Sequence, residues 1–525
     1  MKINYYKQIL IDNKDKLLNL YNLDSQSYTY GYGDREYWGW KIKDFANGTM
    51  QGGVHSLAVG VKLGIFESKN FILHVIDTVI KAIPKIRAKN GSMVEAYPAE
   101  SSFCVTAMVA FDVLSTVKHL EGIILDTQKK EYLEIVKPLI KFITENNEEH
   151  AIISNHIATS VAAMALWNYF TGKGIERYNE LLQLIYDNQS SEGWYREYEG
   201  ADPGYQTLCT YYLFSAYKIT NDEKLLQSLL RSISFLNYFV LPDGTIGGLY
   251  GSRNTEVYYP AGIVGLSNYS EDALSIRRKL EDGILKGNNV SPQSIDIGNY
   301  IPLLNSYAEA AFYSVEFKYD DTNLDLSYSS NKPVLFDDAG IYIHSNNNYY
   351  AIVNFKKGGT IKVFNKKTDQ LDSEDGGIFG RLVDGVKFST QQMDNSIEFN
   401  NKEIKTSFYK INDTSPTIMT TIILRFLALT LFKSTFLSNC FKKIIVKMLM
   451  TGKKKLDGYA IRRFTFNDEN VIIDETVRKP KKCVKIGHPG KAKSIHMASS
   501  GYYLKQNENL INQSKLLKIN ITEIN

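Results

Sequence analysis

Residues 155–206 read NHIATSVAAMALWNYFTGKGIERYNELLQLIYDNQSSEGWYREYEGADPGYQ. An apolar run at helical spacing over 155–170 gives way to a loop at 190–205 that mixes glycine, acids and aromatic rings. The alternation recurs on both sides. Apolar runs fall at 70–87, 103–118, 130–145, 205–218 and 222–240, and similar loops start near 30, 90, 148, 190 and 243. Those starts lie ~40–60 residues apart, room for two helices each. Helical hairpins repeating in this way predict an (α/α) toroid whose long loops gather at one mouth, with a helical solenoid as the alternative.

From about residue 325 the period becomes two. GIYIHSNNNYYAIVNF (340–355), TIKVF (360–364), EIKTSFYKI (403–411) and YAIRRFTF (459–466) alternate apolar and polar residues, with Asn346–Asn348 as a hairpin turn. The prediction is an α+β multidomain chain: an (α/α) toroid over 1–320, then an antiparallel β-sandwich over 321–525. Residues 415–455 interrupt the sandwich as a helical pair. Thr417–Phe432 is apolar except for Arg425 and threonines, too short to span a bilayer as a helix. Beyond it, Asn439, Lys443 and Lys447 recur every four residues with Lys442 beside them. That is the pattern of a basic amphipathic helix at a membrane interface, with Arg425, Lys433, Lys442, Lys443 and Lys447 as the membrane-facing cations. The alternative is that the pair packs on the chain's own β domain.

The 525 residues carry a net charge of +4, with 44% hydrophobic and 22% charged residues, which excludes a disordered or fibrous chain. So balanced a charge gives no reason to expect nucleic acid. The excess of base is local: residues 415–456 hold Arg425 and seven lysines with no acid. Cys104, Cys209, Cys440 and Cys483 form no CxxC, so neither a disulfide framework nor a zinc site is expected, and no metal or cofactor. The first residues lack the apolar core of a signal peptide. The expectation is a cytosol-facing protein, attached peripherally to the inner face of the plasma membrane if the basic helix meets lipid. There is no GxxxxGK[ST], HExxH or Rossmann glycine motif.

Chemistry belongs to the mouth loops, because the helix faces between them read as packing surface. Asn155-His156 opens an apolar helix, and Ser154 or Asn155 would cap it in the plainer reading. The loop at 192–206 packs Glu192, Glu197, Glu199 and Asp202 among Trp194, Tyr195, Tyr198 and Tyr205. A sugar cleft uses such a mixture: ring C–H faces rest on aromatic planes and hydroxyls bond acids and amides. Tyr97, Glu100, Trp194, Glu197, Asp202 and Tyr258 are the candidate substrate-binding residues. Arg253 is the candidate cation, with an ion pair to Glu256 as its alternative. His55 reads as structural, His344 as a sheet residue, and His119, His488 and His496 as histidines without a constellation.

A helical toroid followed by a β-sandwich, with an Asn-His pair and a tyrosine loop some fifty residues later, resembles the heparinase II/III-like polysaccharide lyase family. The resemblance implies that Asn155 binds a uronate carboxylate, that His156 takes the C5 proton, and that Tyr205 serves as acid or base. Arg253 would support Tyr205 or clamp the carboxylate. The family also places a His on the β domain facing the cleft, whereas 358–385 has no histidine and offers Lys366, Lys367 and Asp369 or Asp372. The implied function is a lyase or epimerase acting on a uronate-containing polysaccharide or oligosaccharide in cell-surface polysaccharide metabolism. Two alternatives stay open. One is a non-catalytic, membrane-associated glycan-binding or assembly factor. The other is an inverting (α/α) glycoside hydrolase using two of Glu100, Glu197 and Asp202.

Overall fold

The computed structural model describes residues 4–148, 151–316, 326–412, 415–447, 452–490, 492–494 and 516–524. Helix pairs fill the first part. They are α1 (Tyr5–Leu18) and α2 (Val54–Lys62), α3 (Lys69–Ile86) and α4 (Phe103–His119), and α5 (Asp126–Glu145) and α6 (Ser154–Thr171). Then come α7 (Ile175–Asp187) and α8 (Pro203–Thr220), α9 (Glu223–Leu236) and α10 (Ala261–Leu266), and α11 (Glu271–Leu285) and α12 (Ile297–Glu316).

The even-numbered helices form a closed inner ring: α2 packs on α4, α4 on α6, α6 on α8, α8 on α10, α10 on α12, and α12 back on α2. The odd-numbered helices lie outside them. Sequence explains the division. Along α6 the buried residues go all round the helix and many are small (Ala158, Ser160, Ala162, Ala163, Ala165), so neighbours on both flanks approach closely. Along α9 only one stripe is buried (Leu225, Leu229, Ile233, Leu236), and Glu223, Lys224 and Gln227 face solvent. The inner segments start at the same end, below the loops expected to make the mouth; α2 is reached from there through the short 3-10 helix Gly48–Gly53, which also packs on α4 and α12. The toroid is the observed form and the solenoid alternative is not.

The helical part ends at Glu316 and the first strand begins at Val334; the expected boundary at 320/321 lies outside the described residues. Strands β1 (Val334–Phe336), β2 (Ile341–Ser345), β3 (Tyr349–Asn354), β4 (Thr360–Asn365) and β5 (Gln370–Asp375) form an antiparallel sheet in sequence order. Asn346 makes the β2–β3 hairpin turn, its side chain accepting from the Asn348 and Tyr349 amides. β3 is buried along its whole length because the sheet is covered twice. Tyr350 and Ile352 join the toroid core, and Tyr349, Ala351 and Val353 join a core shared with the second sheet.

The second sheet comprises β6 (Phe379–Leu382), β7 (Lys387–Ser389), β8 (Phe399–Asn400), β9 (Glu403–Lys410), β10 (Lys455–Phe466), β11 (Val471–Arg478), β12 (Cys483–Gly487) and β13 (Leu517–Ile524). Its order is β12-β6-β7-β9-β10-β11-β13, with β8 beside β9. It departs from the expected all-antiparallel form at one edge, where β13 runs parallel to β11.

The insertion lies between the paired strands β9 and β10 as two helices, α13 (Ile418–Leu429) and α14 (Thr435–Val446). Among the described residues no helix is long and apolar enough to cross a membrane. The pair contacts the toroid mouth, whereas packing on the β domain was the sequence alternative. Arg425 pairs with Asp44 at 2.8 Å, Lys442 with Glu100 at 3.5 Å, and the Phe432 ring meets Tyr97. Asn439 and Lys442 line a small cleft with Ser101, Phe103 and Glu148. Two members of the expected membrane-facing basic set, Arg425 and Lys442, are thus engaged by the protein's own acids. Lys443 and Lys447 are exposed, and the Lys433 side chain lies outside the described residues. The outward surface is apolar: Ile418, Ile422, Phe426, Leu429, Phe436 and Ile444 are all more than half exposed.

A buried ion cluster locks the sandwich. Arg462 on β10 bonds Glu475 and Asp375, each at 2.7 Å, and the Gly358 and Gly359 carbonyls. His488, expected to stand alone, completes it by bonding Asp375 at 2.9 Å and Glu475 at 2.8 Å. His496 lies outside the described residues. Removing the arginine leaves two buried carboxylates without their main counter-charge. Arg462→Ala is expected to lower unfolding free energy by ~3–5 kcal/mol, measured by urea unfolding followed by circular dichroism.

Candidate active site at the toroid mouth

Three mouth loops meet at the N-termini of α6 and α8. The strand-like stretch before α6 is pinned to the 190–202 loop: Tyr198 N–H donates to the Ile152 carbonyl (2.8 Å), and Ser154 Oγ donates to the Arg196 carbonyl (2.6 Å). Neither Ser154 nor Asn155 caps α6 with its side chain. Asn155 instead turns to Glu197, its amide nitrogen 2.9 and 3.0 Å from the two carboxylate oxygens. Both residues are buried. Burial pushes the Glu197 carboxyl up to about 8, with Asp202 adding to the rise; the Asn155 hydrogen bond and the Arg253 charge oppose it. Glu197 therefore carries its proton at neutral pH.

His156, next along α6, points Nδ1 at Glu148, 2.5 Å away. The imidazole keeps 24% of its surface open while Glu148 keeps 4%. A carboxylate that fixes one ring nitrogen leaves the other, Nε2, as the atom to take a proton. The sequence offered His156; it did not offer Glu148, which lies eight residues earlier in a stretch with no helical or strand period.

Asp202 caps α8, accepting from Tyr205 N (3.0 Å) at one oxygen and from Arg253 N (2.8 Å) and Thr255 N (3.4 Å) at the other. That single carboxylate brings Tyr205 and Arg253 together. The Arg253 guanidinium stacks over the Tyr198 ring at 4.2 Å. Burial raises the Tyr198 phenol above its ordinary range, and Arg253 counters in part. Tyr198 also lies within electrostatic reach of Glu197, Tyr205 and Glu148. Glu256 pairs with Lys362 of the β domain at 3.0 Å.

The β domain enters the mouth through Lys357. Its fully buried ammonium donates to the Gly251 carbonyl and Asn254 Oδ1. Burial brings it down to about 7, with Asp202 pulling upward and Arg253 pushing downward. Lys366 binds Asn331, Ser345 and Asn346 within its own sheet, and Asp369 faces Lys279 on the rim. They do not supply the side chain that the family pattern expects at the cleft.

Several expected substrate contacts are structural. Tyr258 is fully buried in the toroid wall within the field of Tyr6, Arg277 and Glu281, and so cannot meet a ligand in the mouth. Trp194 is buried, donating to Glu192, which also accepts from the Asp338 and Ala339 amides and so joins the two domains. Glu100 accepts from the Glu95 and Ala96 amides besides facing Lys442. Tyr97 sits half-buried under Phe432. Glu100 and Asp202, each occupied by backbone donors, are poorly placed as the carboxylate pair of an inverting hydrolase. Among the described residues one group could hold a metal ion, His55 with His119 and Glu309, and it lies in the toroid core rather than at the mouth.

No family model matches the sequence, and no curated protein matches it. Solved structures do. Heparinase III aligns at 12% identity over 77% of this chain and 66% of its own, with a TM-score of 0.47. A chondroitin AC lyase variant from Streptomyces coelicolor A3 aligns at 8% identity over 88% and 68%, with a TM-score of 0.46. A sugar epimerase from a ruminal bacterium aligns at 13% identity over 61% and 100%, with a TM-score of 0.45. At these identities and scores the likeness carries no conclusion about the site.

The raised Glu197 carboxyl has a stability consequence. Folded protein holds that proton more tightly than unfolded chain, so folding loses free energy as pH climbs from the ordinary glutamate range to about 8. Glu197→Gln, which keeps the neutral shape, is expected to flatten this fall between pH 5 and 8, measured as the difference between the two proteins' denaturation midpoints.

Proposed function

We propose that the protein processes a uronate-containing polysaccharide or oligosaccharide by abstracting the C5 proton, as a lyase or an epimerase. The observation that carries this reading is the His156–Glu148 pair, a base with its orienting carboxylate, set beside Asn155 at the mouth. A carbon acid next to an ionised carboxylate resists deprotonation, and donors that neutralise the carboxylate stabilise the enolate-like transition state. A protonated Glu197 suits that task. It does not repel an anionic sugar, and its O–H and the Asn155 amide supply donors next to the Arg253 charge. Tyr205 is the candidate acid for the leaving oxygen, and Lys357, brought down to about 7 by burial, is the titratable group that the β domain adds.

The reading separates from glycoside hydrolysis by one substitution. A hydrolase that used Glu197 as its acid would be inactivated by Glu197→Gln, whereas proton abstraction by His156 is expected to survive it. His156→Ala is expected to lose ~10²–10⁴-fold in kcat/KM. The assay is ultraviolet absorbance of an unsaturated uronate, together with deuterium exchange at C5 to detect epimerisation, across a panel of uronic-acid glycans. Wild-type silence in both readouts, with folded protein, overturns the proposal.

A second reading concerns where the reaction happens. The outward apolar residues of α13 and α14, with Lys443 and Lys447 beside them, are complementary in chemistry to an anionic lipid surface. Wild-type protein is expected to float with anionic liposomes and weakly with neutral ones. Replacing Ile422, Phe426, Phe436 and Ile444 by serine is expected to abolish flotation while leaving the far-ultraviolet circular dichroism unchanged.

A further inference from the structure

Three inner helices that neighbour one another around the ring, α12, α2 and α4, each send one metal-capable side chain to a common point. His55 Nε2 and His119 Nε2 lie 2.6 and 2.5 Å from the same oxygen of Glu309. The three ligand atoms fall within 4.8 Å of one another. Behind them, Asp112 holds His55 through Nδ1 at 3.1 Å. His55 is wholly buried, Glu309 nearly so, and His119 keeps 10% of its surface. Phe111 lies edge-on to His55 and Phe312 edge-on to His119.

We propose that this cluster is a binding site for a divalent transition-metal ion of the zinc class. His55 Nε2, His119 Nε2 and the Glu309 carboxylate would be the ligands and Asp112 the group that orients His55. Two imidazoles and one carboxylate are a donor set that zinc accepts, and a carboxylate on the far nitrogen of a ligating histidine fixes its tautomer. The ion takes the place of the two protons now shared between the imidazoles and Glu309. A tetrahedral ion with bonds of ~2.0–2.1 Å keeps its ligand atoms ~3.3 Å apart, so the Glu309 oxygen would draw back from both imidazoles by under ~1 Å, with the imidazole nitrogens, within 4.8 Å of one another, set about the ion. Access exists: a cavity of about 270 Å³ is lined by His119 and Glu309 together with Ser115, Lys62, Lys118 and Lys218. A fourth, water-filled position would face that cavity.

The site is separate from the mouth. His119 ends α4, sixteen residues and about 24 Å along the axis from Phe103 at the mouth. At that distance the ion acts as a clasp that fastens α12 back to α2 and α4, where the ring closes, and it does not reach the substrate.

The experiment strips the protein with EDTA, dialyses it against zinc sulfate and counts retained zinc per chain by mass spectrometry, with thermal unfolding run in parallel. Wild type is expected to keep about one zinc per chain and to melt a few degrees higher with zinc than with EDTA. His119→Ala and Glu309→Gln are each expected to lose the bound zinc and the shift, and Asp112→Asn to weaken zinc binding ~10–100-fold. The amide variant keeps the volume and hydrogen bonding of the acid and so carries the test should the alanine variant fail to fold. Wild type that retains no zinc, or variants that retain it equally, overturn the proposal. Loss of the mouth activity in Glu197 or His156 variants leaves this result unaffected, so the two readings fail separately.

Discussion

The carboxylate of Asp202 is the fixed point around which the mouth is arranged. It is buried, it caps α8, and its second oxygen receives the Arg253 and Thr255 amides from a loop some fifty residues later. Burial pushes the Asp202 carboxyl above its usual range, and the donors that oppose the rise are backbone groups of the two loops that carry Tyr205 and Arg253. Because those donors are main chain, their positions do not depend on side-chain rotamers. The β domain then fits over the same knot, with Lys357 reaching Gly251 and Asn254, and Asn354 donating to the Tyr250 carbonyl at 2.7 Å. Domain docking and site geometry thus depend on one acid. Asp202 itself, which looked from the sequence like a ligand for sugar, is spent on structure.

How much of this was legible follows from the range of each interaction. Helices and their mouth loops could be read because apolar periodicity is local, and strand alternation changes period cleanly near residue 325. Asn155, His156, Tyr205 and Arg253 could be singled out because each stands in or beside a conspicuous loop. Their partners could not. Glu148 sits in a short irregular stretch, Lys357 comes from the other domain, and His55 meets Glu309 across 254 residues. Trp194 and Tyr258 failed for a different reason. Aromatic rings near acids look alike in sequence whether they floor a cleft or fill a wall, and only the contacts made in the fold separate the two. The amphipathic pattern of α14 was also correctly read as two-faced, but its polar face turns in part toward the mouth and its apolar face outward.

That orientation gives the insertion an unusual balance. Arg425, Lys442 and, further on, Lys453 hold acids of the mouth loops (Asp44, Glu100 and Glu199). These are partly exposed ion pairs, each weak in water and screened by salt. The helices are therefore fastened to the toroid by contacts that ionic strength loosens, while their other side carries apolar surface that salt drives together. The same segment borders the cleft beside Glu148.

The closed ring has its own cost during synthesis. The first helices of the chain pack on the last helix of the toroid: Asn4 donates to the Ala311 carbonyl and Asn305 to the Gly52 carbonyl. Neither partner exists while the ribosome is still making the middle of the toroid. At ~5–20 residues per second the apolar flanks of α1 and α2 wait ~15–60 s for α12. Contacts of such long sequence separation also form slowly once the chain is complete. The first hairpins of the toroid thus wait longer than its later ones with their apolar flanks uncovered.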